Sequence, residues 1–220
     1  MEQIKKYFFN RFQIVFTIGG VVLMSIILLM IRLKFTHSFF LLFLVWNVFL
    51  AGIPFAISFF LKFKKNITKG ALLIWFGIWL LFLPNAPYIV TDYLHLRFSS
   101  KNIIVLDIFL IGSFALSGLL FYYISLRDME SLILSKFSKR ITQSIILTIP
   151  FFAGFGIYLG RILRWNSWNV IQQPKRLFND IWNIICVPFD HLLAWIFTIF
   201  FGTALGITYV LFKRIRFLQK

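Results

Sequence analysis

Six long apolar runs constrain this chain more than any other feature. A membrane-spanning helix needs about 20 mainly apolar residues. The runs over residues 14–31, 38–61, 70–90, 103–125, 142–160 and 190–212 come near that length, and short clusters of Lys and Arg separate them. Lipid offers the backbone no hydrogen-bond partners, so such runs must close their own bonds as helices. The sequence therefore predicts an all-α fold: an integral-membrane helical bundle of about six transmembrane helices, forming a single domain over residues 1–220. Composition agrees. Only 14% of residues are charged and 60% are hydrophobic, against about 25% charged in soluble domains. The partner this predicts is the lipid bilayer.

The net charge of +16 invites a nucleic-acid reading, which the placement of the charges excludes. They flank the apolar runs instead of lining one soluble face, as the positive-inside rule describes. One side of the six spans collects fifteen of the 23 Lys and Arg residues: Lys5, Lys6 and Arg11, then 62–69, 126–141 and the C-terminus. Arg32, Lys34, Arg97, Lys101, Arg161, Arg164, Lys175 and Arg176 fall on the other. Both termini are thus expected inside. The first run continues past Ile31 to Arg32 and Lys34 and reads as a retained span, not a cleaved signal peptide. Asn66-Ile67-Thr68 matches a glycosylation sequon but falls on the inner side. With one cysteine, Cys186, the chain forms no intrachain disulfide.

The segment Leu83-Pro84-Asn85-Ala86-Pro87-Tyr88-Ile89-Val90-Thr91-Asp92, running on to His95, interrupts the third span. Pro84 removes the donor for the Leu80 carbonyl and Pro87 that for Leu83. Such groups cannot face lipid and must line protein or water, and the Asn85 amide and Tyr88 stand beside them. Thr91 is a plausible N-cap for a short helix, on which Asp92 and His95, three apart, share a face. A small polar ligand pocket and a merely capped, Pro-rich helix end are the two readings of this segment.

Other polar residues cluster on the predicted outer side. Asn47, beside Trp46 and ahead of Pro54, lies within the second span, where its amide needs a partner. Asp107 lies about one turn into the fourth span, where an ionised acid is costly and marks either a site or an ion pair. Arg161, Arg164, Trp165 and Asn166 close the fifth span. The two arginines, three apart, can face one phosphate or carboxylate, or the group can anchor a helix end at the headgroups. Residues 175–187 set Leu177, Phe178, Ile181, Trp182, Ile184 and Ile185 against Asn179, Asp180 and Asn183, the pattern of an interfacial helix before the last span. On the inner side Asp128 and Glu130 read as solvated charges.

Trp46-Asn47 with Pro54, the string LPNAPYIVTD followed by His95-Leu96, and GRILRWNSW together resemble an uncharacterised family of bacterial multi-pass integral-membrane proteins, a domain of unknown function. The resemblance covers nearly the whole chain and implies a bacterial cytoplasmic membrane. It supplies no activity, substrate or cofactor.

Nucleotide-binding glycine loops, HExxH, paired cysteines and the GxSxG elbow are all missing from the sequence. Three functions remain open. In an enzyme acting on a lipid or lipid-linked substrate at the outer leaflet, Asp92 or His95 would be base or metal ligand, Asp107 would orient one of them, and Arg161 and Arg164 would hold phosphate. A transporter or permease component would use the broken third span. In a non-catalytic accessory protein, Asp107 would simply pair with Arg161 or Arg164. The candidate catalytic residues are Asp92, His95 and Asp107. The candidate ligand-binding residues are Asn47, Asn85, Tyr88, Arg161, Arg164, Trp165 and Asn166. Cofactor and metal are left unassigned.

Overall fold

The structure, a computed structural model, describes residues 2–64 and 67–214, with side chains from Phe12 onward. The side chains of Lys5, Lys6 and Arg11, and residues Lys65, Asn66, Arg216 and Lys220, lie outside this description. The described residues form helices and no strands. Helix α1 runs Glu2–Thr36, α2 Phe43–Phe63, α3 Lys69–Phe82 and α4 Asn85–Tyr88. A 3₁₀ segment, Ile89–Phe98, follows, then α5 Ile104–Leu134, α6 Lys139–Arg161, α7 Asn169–Gln172, α8 Pro174–Cys186 and α9 Leu192–Lys213. Six of the described helical stretches are long and apolar enough to cross a membrane. The protein is an all-α helical bundle.

Three boundaries depart from the sequence expectation. The second span begins at Phe43, not at residue 38. His37 takes a left-handed backbone with φ 48, and Arg32 Nη1 donates to the Ser38 carbonyl at 2.9 Å, so residues 37–42 turn the chain. The fourth span continues to Leu134 through what reads as an inner loop. Leu126, Met129, Leu132 and Ile133 are buried there, at the i, i+3, i+4 spacing of a core-facing stripe, which the charges between them disguise. Those charges are not freely solvated: Asp128 is buried with Lys62 Nζ 3.2 Å from its Oδ1, and Glu130 accepts from the Tyr209 hydroxyl and Lys213. The third departure is the segment after α4, described with the site.

Helix α5 is central, packing against α1, α2, α4, α6 and the 3₁₀ segment. Leu110, Ile111, Phe114, Tyr122, Leu126 and Met129 are buried along it. Lipid is as apolar as these side chains, so close packing and buried polar contacts hold such helices together. Two glycines make room for the broken third span. A Cβ at Gly118 of α5 would run into the Ala86 carbonyl, and one at Gly156 of α6 into the Pro84 ring. The α4 segment is thus pressed between α5 and α6. Helix α6 in turn lies along α9.

Candidate functional site

The break after Phe82 is closed by side chains. Leu81 and Phe82 lose their usual i+4 donors where α3 stops. Asn85 Nδ2 donates to the Phe82 carbonyl at 2.9 Å, and Ser167 Oγ donates to that of Leu81 at 3.1 Å. Asn85 Nδ2 also reaches Ser167 Oγ at 3.0 Å, tying the loop after α6 to the break. The Leu83 carbonyl accepts from the Ala86 amide at 3.1 Å.

Beyond Tyr88 the chain winds as a 3₁₀ helix, not as an α-helix capped by Thr91. A 3₁₀ run of ten residues is unusually long, and it eclipses side chains three apart. Asp92 and His95 are accordingly stacked, with His95 Nε2 3.8 Å from Asp92 Oδ1. Thr91 is buried and acts as a bridge. Its hydroxyl donates to the Tyr88 carbonyl at 2.6 Å and accepts from Arg161 Nε at 2.8 Å and Nη2 at 2.6 Å.

Asp92, 1% exposed, is the anchor of this cluster. Its Oδ1 accepts from Arg161 Nη2 and its Oδ2 from Asn47 Nδ2 at 2.8 Å. Arg161 Nη1 lies 3.4 Å from His95 Nε2, and the guanidinium carbon stands 4.4 Å from the centre of the Tyr88 ring. Four elements therefore meet here: α2 through Asn47, α4 through Tyr88, the 3₁₀ segment, and the end of α6. The imidazole of His95 is lodged against Phe43 at 4.8 Å and Phe40 at 5.9 Å between ring centres. Its buried Nδ1 has no partner among the described residues.

Asp107 and Arg164 stand apart from this cluster. Asp107, 0% exposed, pairs not with Arg161 or Arg164 but with Arg32 of α1, at 2.9 Å from Nε to Oδ1. Its second oxygen accepts from Ser99 Oγ at 2.6 Å. Helix α6 ends at Arg161, and Arg164 takes φ 59 and is exposed, so the two arginines do not share a helix face. Among the described residues no three His, Cys, Asp or Glu side chains gather as a metal would require.

Next to the cluster lies a cavity of about 830 Å³, within the roughly 300–1,000 Å³ of small-molecule sites. Helices α2, α3, α6 and α9 form its walls and α8 contributes Leu177, Ile181 and Ile185. Leu50, Leu80, Phe151, Phe152 and Phe155 make most of it apolar, while Asn47, Asn85, Tyr88, Asn166 and Ser167 bring polar groups to it. Asp92, His95 and Arg161 do not line it. They stand behind Asn47 and Tyr88, which do. Trp165 also lines it, its indole donating to Asp180 at 2.9 Å.

A family model described as "Protein of unknown function (DUF1361)" matches residues 46–208. The chain belongs to that family. No curated protein and no solved structure matches it. The DUF1361 segment contains the Asp92–Arg161 cluster, Asn47 and every residue lining the cavity, whereas Arg32, the partner of Asp107, precedes it.

Sequence reasoning assigned no role to Ser167 or Arg32 and misread that of Thr91. Ser167 lies 82 residues from Asn85, and nothing local signals the contact. Thr91 reads as a cap because its second neighbour, Arg161, comes from a distant helix. For Arg32 a signal exists: it sits on the same predicted side as Asp107, and a buried acid needs a cation.

Proposed function

We propose that this protein is a multi-pass protein of a bacterial cytoplasmic membrane, with both termini inside, that binds a lipid or lipid-linked molecule at the outer end of its bundle. The observation that carries this reading is the cavity: apolar over most of its wall, with amide and hydroxyl groups contributed by the broken third span, the second span and the loop after α6. An amphiphile has that same division between tail and head. The excess of basic residues on one side supports the orientation. Helix α8 supports a bilayer-surface setting. It turns Leu177 and Ile181 to the cavity and leaves Phe178 and Trp182 exposed, as suits a helix lying at the lipid boundary.

In this reading Asp92 and His95 are positioning residues. Asp92 is closed off by Arg161 and Asn47, and it fixes both Asn47 and the arginine behind Tyr88. The broken span also suggests a transporter, since such breaks can expose carbonyls to ions. Here the Leu81 and Phe82 carbonyls are taken by Ser167 and Asn85 and that of Leu83 by the Ala86 amide. Among the described residues this leaves Leu80 as the single opened carbonyl to offer an ion, so binding has the better support.

Gly77 provides the test. It lines the cavity, and a Cβ there would meet nothing within 4 Å. Phenylalanine at this exposed position sets a large side chain at the cavity wall and removes a helix-interior glycine, whose cost is about 1 kcal/mol relative to alanine. Wild type and Gly77→Phe would be purified in detergent and their retained lipids extracted and quantified by mass spectrometry. A stoichiometric lipid in the wild type, lost in a variant of equal or higher thermal stability, is expected. Equal lipid in both would end this reading.

A further inference from the structure

Resting on the reading that the cavity holds an amphiphile, the geometry points to an uncharged, hydroxyl-bearing headgroup, such as a glycerol or sugar alcohol, and not a phosphate. The first ground is charge. The protein carries +16 overall, yet no Lys, Arg, His, Asp or Glu side chain lines the cavity. Two arginines back onto rings that line it: exposed Arg176 lies 5.6 Å from the centre of the Trp165 ring, and Arg161 is held inside its own cluster. Its nitrogens face Thr91, Asp92 and His95, and its flat face lies over Tyr88, the ring that itself lines the cavity. A phosphate among the lining residues would lose its water and meet no cationic side chain in the wall itself, a costly exchange.

The second ground is the direction of the hydrogen bonds. Asn47 gives its Nδ2 to a carboxylate and Asn85 gives its Nδ2 to a backbone carbonyl. Both acceptors lack protons, so the amide orientations are fixed by chemistry, and each side chain has its Oδ1 left over. Neither Oδ1 accepts a hydrogen bond among the described residues, and the Tyr88 hydroxyl has no partner there either. Both asparagines and Tyr88 line the cavity. Beside them is the buried Trp195 indole N–H, which has no partner among the described residues and whose residue also lines the cavity. Two spare acceptors, one phenol and this N–H favour a ligand that both donates and accepts. A hydroxyl donates to an amide oxygen and also accepts from the phenol. An ionised phosphate ester brings only acceptors and would set its oxygens against Oδ1 of Asn47 and Asn85.

The experiment uses three lipids with identical acyl chains: diacylglycerol, its monoglucosyl derivative, and phosphatidic acid. Each is titrated into delipidated, detergent-purified full-length wild type, Gly77→Phe and Tyr88→Phe, with binding read by native mass spectrometry. The expected result is at least tenfold tighter binding of one or both neutral lipids than of phosphatidic acid, abolished in Gly77→Phe. Tyr88→Phe keeps the ring over Arg161 and should keep its thermal stability while weakening the neutral lipid several-fold. Preference between the two neutral lipids tells a free alcohol from a sugar. If phosphatidic acid binds as tightly or tighter and Gly77→Phe abolishes it, the cavity still holds an amphiphile but the headgroup assignment is overturned. If no lipid binds in a manner sensitive to Gly77→Phe, both the headgroup assignment and the lipid-binding reading fall.

Discussion

Asp92 and Asp107 make an instructive pair. Both are buried acids, and each is held by an arginine from a distant helix. Around Asp107 the bonding closes: Arg32 takes one oxygen, Ser99 the other, and none of the three lines the cavity. Around Asp92 the bonding stays open one layer out. Its partner Asn47, and Tyr88 beneath its arginine, both face the cavity with capacity unused. The cost of burying an acid in a membrane protein shows that it needs a partner, but not what the pair is for. What separates a brace from a site is whether the partners' remaining groups face a space.

The largest expected effect tests the closed pair. Arg32→Ala or Asp107→Ala leaves a lone buried charge, and stability measured by denaturation in detergent should fall by about 3–5 kcal/mol. Replacing both, Arg32→Met with Asp107→Leu, should recover most of that loss, because a buried ion pair is often no better than apolar packing. Lipid retention by the folded fraction should match wild type throughout. A single variant that stayed stable yet lost its lipid would collapse the distinction between the two acids.

Next in size is Arg161→Lys. An ammonium cannot bridge Thr91 and Asp92 while covering the Tyr88 ring, since the planar fork is what makes all three contacts. A drop of roughly 1–3 kcal/mol is expected from the lost charge-assisted bonds. Unlike the Arg32 variants, this one should lose retained lipid too, because Tyr88 and Asn47 are released together. Stability lost with lipid unchanged would make the Asp92 cluster a second brace.

These two acids also show what was legible in the sequence. Asp92 and Asp107 stand out because charge is scarce in apolar runs, and the six helices follow from hydropathy alone. Which arginine serves which acid was not legible. That choice depends on how α1, α5 and α6 pack, and the partners lie 69 and 75 residues away. Asn47 was found because an amide in a span needs a partner, but its partner's identity again came from packing. The opposite end of the bundle misled for a related reason: Asp128 and Glu130 look solvated beside so many basic residues, yet α5 carries them into contact with Lys62, Tyr209 and Lys213. The cavity was invisible. A void is made by what several helices fail to fill, and no single stretch records that.

A smaller effect is expected at Ser167, which joins the open region to the break in α3. Ser167→Ala removes the donor to Leu81 and an acceptor for Asn85. A loss of about 1 kcal/mol is the ordinary size for such a bond. Because the two residues share a network, Asn85→Ala and Ser167→Ala should be non-additive, by about 0.5 kcal/mol or more in a double-mutant cycle. Strict additivity would mean that the loop is held in place by packing and that the polar end of the cavity is not fixed by this contact.

The smallest effect separates two arginines instead of two acids. Arg164 follows Arg161 by three residues, but the helix has ended and its side chain is exposed with a left-handed backbone. Asparagine adopts that backbone more readily than most residues, so Arg164→Asn removes the charge without forcing the turn. Stability should change by no more than about 0.5 kcal/mol in either direction, and retained lipid should be unchanged in amount and kind. If lipid were lost from this variant while it stayed folded, a cation outside the cavity lining would be serving the headgroup. The open region would then be an anion site after all, and its difference from the closed Asp107 pair would lie in which charge it recruits rather than in having none to offer.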